Sequence, residues 1–446
     1  MSQHKAILLI VISVLMIVGS YVPNASRTVN SPASSEPSIN IDASSPGFGM
    51  KSTDELIIFW KERFERDPRD FISLTYLAES HIRKGRETGD ASEYQKAEAI
   101  LRNSLKLNAG YEPTLAYLSA ALFAQHDFSG ALELANRVYN ADPRALQALA
   151  TIGDAQLELG HYAEAEIAYE KLNEKSPSAP VYTRLARLAW LYGRPSEALS
   201  WMQQAVDDSG ETGLSGENTA WYHFQLGELY FNTGQVEQAE AQYAAALKAF
   251  DNYYLALAGL GKVRAAEGQY EEAIEYYQRA VNIVPQPDFL AALGDLYIRT
   301  DQSDAAQIQY ETVKYIGKLA ALNEQIYNRQ LANFYSDHDL NLDEALQLAL
   351  TELESRKDIY GYDAAAWAQH KNGNSKEAHA LMDHALALGT RDANLYYHAG
   401  MIALELDDKA QAQAYLEQAL AINPHFSFLY VEEARKILHT LQAGDE

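Results

Sequence analysis

The sequence predicts an all-α solenoid: a stack of about ten helical hairpins between an N-terminal and a C-terminal capping helix. Three observations carry this. A pattern of small and aromatic residues returns after 34 positions, most plainly between Trp221 and Pro285, where Gly227 and Tyr243 recur as Gly261 and Tyr277. Each copy splits into two helical faces: Leu257, Leu260, Gly261 and Arg264 sit at i, i+3, i+4 and i+7, and Ala273, Tyr277 and Ala280 repeat the spacing. Gly268 lies between the two faces, where a residue tolerant of positive φ is needed to end a helix. Such a hairpin leaves apolar surface on both sides, so copies must stack.

The register extends over most of the chain. The small slot of the first helix is filled by Ala78, Ser119, Gly153, Ala186, Gly227, Gly261, Gly294, Ala332, Ala366 and Gly400. Its partner in the second helix is always alanine, from Ala97, Ala131 and Ala165 to Ala345, Ala378 and Ala412. Small residues let two backbones approach, and a large ring such as Tyr277 fills the space beside them. The pattern Leu226-Gly227, Tyr230, Gly234, Ala239, Tyr243, with prolines closing copies at Pro143, Pro177, Pro285 and Pro424, resembles the tetratricopeptide repeat. The resemblance implies a right-handed superhelix whose first helices line a concave face.

Taken in order, residues 1–22 hold Lys5 and the apolar run Ala6–Val18, which reads as either a cleaved signal peptide or an uncleaved membrane anchor. Either predicts a repeat domain outside the cytoplasm, periplasmic or extracellular. Residues 23–51 are rich in Ser and Pro, the composition of a disordered tether. The solenoid spans 52–424 and opens on the capping-box pattern Ser52-Thr53-Asp54-Glu55, with Leu56, Trp60 and Phe64 on one face of a lead-in helix. Longer steps mark insertions at Gly85–Tyr94 and Asp207–Ala220. The second is expected to be a mobile loop and a point of possible sub-division near 207–220. Lys314–Asn328 reads as a lengthened helix. Residues 425–446 close the stack with Phe426, Tyr430, Ala434, Ile437 and Leu441 at helical spacing, backed by charge.

Composition and motifs narrow the function. A net charge of −25 disfavours nucleic acid and anionic lipid as partners, leaving membrane association to residues 1–22 if they stay uncleaved. The chain has no cysteine, so thiol chemistry and cysteine metal sites are absent. Gly259-Leu260-Gly261-Lys262 mimics a phosphate loop, but Ala256 stands where the first glycine belongs and Val263 where Ser or Thr does. Asp337, Asp339, Asn341 and Asp343 begin like a calcium loop, yet Leu342 and Leu348 occupy the positions that need Gly and Glu. No catalytic residue, metal or cofactor is predicted.

The concave face is what remains. Carrying the family's groove positions onto this chain selects Trp221, Phe224, Glu228 and Phe231 in repeat five, Trp190 in repeat four, and Asp154 and Glu158 in repeat three. Asp288 and Asp295 follow in repeat seven, with Tyr360, Trp367 and Tyr397 nearer the C-terminus. Aromatic anchors among carboxylates predict a protein or peptide segment with apolar anchors and positive charge. The reading is a non-catalytic protein–protein interaction scaffold. The alternative is a structural assembly subunit of an envelope or membrane complex acting through its outer surface.

Overall fold

The computed structural model describes residues 52–88, 90, 92–211, 216–322 and 328–443, so the expectations for 1–22 and 23–51 lie outside the described residues. Among the described residues every regular element is an α-helix, and none is long and apolar enough to cross a membrane. The helix α1(Thr53–Arg66) leads in, fixed by a capping box between Ser52 and Glu55. Ten hairpins follow: α2(Phe71–Thr88) with α3(Ser92–Leu107), α4(Glu112–Ala124) with α5(Phe128–Ala141), α6(Leu146–Glu158) with α7(Tyr162–Lys175), α8(Ala179–Leu191) with α9(Pro195–Glu211) and α10(Gly216–Asn232) with α11(Val236–Ala249). The second five are α12(Tyr254–Ala266) with α13(Tyr270–Ile283), α14(Pro287–Arg299) with α15(Ser303–Leu322), α16(Asn328–Asp337) with α17(Leu342–Ser355), α18(Ile359–Lys371) with α19(Ser375–Leu386) and α20(Ala393–Glu405) with α21(Lys409–Ile422). The last helix is α22(Val431–Ala443).

The small slots do what their size demands. A Cβ added at Gly227 would lie 2.6 Å from the Tyr243 ring, and one at Gly261 2.7 Å from Tyr277, distances no real Cβ tolerates. Gly153 faces Tyr169 in the same way, and Gly400 faces Leu416. All ten partner alanines are fully buried. The turn at Gly268 has φ +77°, the left-handed geometry expected there.

Two expectations are corrected. Asp207–Ala220 is mostly helical: α9 runs through Asp207 and Gly210 to Glu211, and α10 starts at Gly216. The inserted residues lengthen both helices because Val206 and Ser209 bury on one side and Ala220 and Trp221 on the other. One apolar cluster joins Met202, Ala205 and Val206 to Ala220, Trp221 and Tyr222 across the insertion.

The second correction concerns the open groove. The superhelix coils tightly enough for successive turns to touch. The bend inside repeat three meets the linker after repeat eight, where the Ile359 amide donates to Tyr162 Oη at 2.9 Å. The bend inside repeat four meets the linker after repeat nine: Thr390 Oγ1 donates to the Leu191 carbonyl, and Gly193, at φ +67°, abuts the Gly389 carbonyl. In repeat five, Asn423 Nδ2 donates to the Phe231 carbonyl at 2.9 Å. Glu158 anchors this seam, fully buried between Arg187 at 2.7 Å and Arg356 from the opposite turn.

The C-terminus closes the rest. Ala434 falls in the small slot and is fully buried, so α22 packs as the first helix of a repeat does. The turn before it crosses the lumen. Phe428 packs on the apolar cluster of repeats six and seven, and Tyr430 Oη donates to Asp337 at 2.8 Å.

Candidate functional site

Beside the seam lies a cavity of about 590 Å³, within the usual range for ligand sites. Its walls come from the first helices of repeats four to seven, α8, α10, α12 and α14. Arg356 and Tyr360 complete it from the far side of the seam. Of the residues selected from sequence, Trp190, Trp221, Phe224, Glu228, Asp288 and Tyr360 line it. Trp190 Nε1 donates to Tyr360 Oη at 2.8 Å, and Tyr360 donates to Asp392 at 3.2 Å, so these two rings both line the cavity and hold the seam. Phe224 is half-buried against Tyr243 and Tyr253, with one face left to the cavity.

The other selected residues go elsewhere. Phe231 is 2% exposed and lies beneath Lys262, whose ammonium stands 5.0 Å from the ring centroid, so it packs the repeat and is not offered to a partner. Trp367 and Tyr397 sit under the C-terminal turn: Tyr430 stacks on Tyr397 at 4.7 Å, and Trp367 Nε1 donates to Asp337 at 2.8 Å.

The carboxylates were selected as groove residues for a positively charged segment, and the structure corrects this for most of them by pairing them within the chain. The acid one residue past the small slot accepts from the tyrosine that fills that slot. Tyr169 donates to Asp154 at 2.9 Å, Tyr243 to Glu228 at 2.6 Å and Tyr310 to Asp295 at 2.6 Å. Each also has a cationic or basic partner: Arg184 on Asp154 at 2.8 Å, Lys262 on Glu228 at 2.7 Å and His338 on Asp295 at 2.6 Å. Burial alone would raise the Glu158 carboxyl, but the Arg187, Arg356 and Arg329 guanidiniums outweigh it and hold it at about 2. These four acids therefore bind the chain to itself.

Asp288 differs. It keeps water-accessible surface inside the lumen and has no ion-pair partner among the described residues. Enclosure by protein raises its carboxyl to about 6; Asp337 adds to the rise and Lys262 opposes it. Arg187 and Lys262 stand at the same first-helix position as Glu228 and also line the cavity, whereas reasoning from sequence missed Arg356.

A stack of helical hairpins with an aromatic-walled cavity on its first helices defines a helical-repeat scaffold. Residues 122–188, 224–288 and 393–426 each match a family model of the tetratricopeptide repeat, and the chain is a tetratricopeptide-repeat protein. It is 24% identical to the BBSome complex member BBS4 of Bos taurus over 254 residues, which make up 56% of this chain. The match spans 46% of that relative, about half its length. Among solved structures, yeast Tom70 is 14% identical with a TM-score of 0.34, covering 88% of this chain and 97% of Tom70. BtubC from P. vanneervenii is 22% identical with a TM-score of 0.37, covering 46% of this chain and 92% of BtubC.

Proposed function

We propose that the chain is a non-catalytic protein-interaction scaffold that grips a protein segment in the cavity of repeats four to seven. The observation that carries this is the pairing of Trp221 and Phe224 on one wall of a sizeable cavity. Rings at the centre of an interface supply most of its binding energy. Elsewhere on the concave face the C-terminal turn covers Trp367 and Tyr397. The partner reading follows: a segment with an apolar anchor, steered by the net charge of −25 toward basic sequences. Residues 1–22 support a location outside the cytoplasm, either anchored or released.

Two experiments test the proposal. Partners recovered from native membranes and identified by mass spectrometry are titrated against Trp221→Ala and Phe224→Ala, each verified as folded by circular dichroism. Each truncation is expected to weaken binding by about 2 kcal/mol or more. Wild-type affinity in both would move the interaction to the convex face and favour the assembly-subunit alternative. For location, a reporter active only outside the cytoplasm is fused after Glu446. A silent reporter at normal expression defeats the exported reading.

A further inference from the structure

Five charged side chains line the cavity: Arg187, Glu228, Lys262, Asp288 and Arg356. Four are spent within the fold. Arg187 and Arg356 share Glu158, and Lys262 sits 2.7 and 2.9 Å from the two oxygens of Glu228. Asp288 is the charge left over. It stands at the start of α14, where the helix N-terminus gives an anion some support. That support is incomplete, since its carboxyl remains raised. Beyond it, Asp337 is half-buried and, among the described residues, is bonded by the neutral donors Trp367 and Tyr430, while the nearby imidazoles of His338 and His398 are engaged by Asp295 and Asp363. This end of the lumen therefore carries two carboxylates without a bonded cation. Phe289, next to Asp288, and Trp221 and Phe224 of α10 are among the apolar residues that line the same cavity.

We infer that the cavity is a site for an aromatic or aliphatic group bearing one positive charge, such as a lysine or arginine flanked by an apolar side chain, with the cation placed on Asp288. This rests on the scaffold reading and names the chemistry of its anchor. An anionic group meets the reverse situation. The cavity's cations already have carboxylate partners, and a new anion there would have to displace one of them.

The test uses three small probes of one shape on the full-length chain, followed by calorimetry and ligand-detected NMR: 2-phenylethylamine as the cation, 2-phenylethanol as the neutral form and 3-phenylpropionate as the anion. The amine is expected to bind about tenfold more tightly than the anion, equivalent to about 1.4 kcal/mol. Asp288→Asn is expected to bring that ratio to about one while leaving the alcohol's affinity unchanged, because the amide keeps the shape and loses only the charge. Trp221→Ala is expected to weaken all three. The inference is overturned if the anion binds as well as the amine, if the preference survives Asp288→Asn, or if no probe binds the folded protein. Any of these would leave the scaffold reading standing wherever partner capture still depends on Trp221, so the two fail separately.

Discussion

Two glycines in equivalent turns separate the seam from the repeat itself. Gly193 and Gly268 both end a first helix in left-handed geometry, with φ +67° and +77°. They differ in what surrounds them. A Cβ at Gly268 meets nothing within 4 Å, whereas one at Gly193 overlaps the Gly389 carbonyl oxygen on the opposite turn. Alanine at either site is held in a conformation that costs about 1–2 kcal/mol, partly offset by a stiffer unfolded chain. Gly268→Ala is therefore expected to cost about 1 kcal/mol. Gly193→Ala adds the cost of pushing two backbones apart, about 1–3 kcal/mol, since no flexible side chain is there to move aside. Urea unfolding followed by circular dichroism measures the difference, and small-angle X-ray scattering reads whether the turns separate. Equal losses in the two variants, with unchanged scattering, would mean that the turns do not touch in solution.

Three further outcomes follow from the same structure. Gly261→Leu forces a side chain into the Tyr277 ring and is expected to cost about 1–3 kcal/mol or more; a thermal melt like wild type would refute the slot assignment. Glu158 titrates lower in the folded state, at about 2, than its ordinary 4.5, so it contributes stability that is complete above pH 4.5 and lost as pH falls toward 2. Acid should then open the seam in that window, seen as growth in the radius of gyration, and Glu158→Gln should be largely insensitive to it. Asp288 has the opposite sign. Its carboxyl is raised from 3.8 to about 6, so its ionisation opposes folding above pH 6 and has no effect below pH 3.8. Asp288→Asn should stabilise the protein at pH 7–8 and be neutral at pH 3.5, as compared by chemical denaturation at both values.

The hairpins were legible because their cause is local. Gly227 and Tyr243 are 16 residues apart and meet within one repeat, so the pairing recurs wherever the spacing does. The acids were misread for a related reason. Asp154, Glu228 and Asp295 do point off the first helix, but the tyrosine of the same hairpin reaches each of them first. The seam was out of reach. Glu158 and Arg356 are 198 positions apart, and they meet only because small rotations add up over several repeats. A trace of it was present in the polar residues Arg356, Thr390 and Asn423, which sit in linkers where the pattern itself asks for none of them.

The seam also sets a clock on synthesis. Most repeat arrays fold as they emerge, each hairpin needing only the one before it. Here Glu158 leaves the ribosome 198 residues ahead of Arg356, an interval of about 10–40 s at ordinary elongation rates. Once Arg187 and Trp190 have followed, Trp190 still lacks Tyr360 and Arg187 holds Glu158 alone, so the chamber of repeats four to seven stands open along one side. A partner made at the same time and place would meet a wide trough, and one arriving later would meet a cavity already walled by Arg356 and Tyr360.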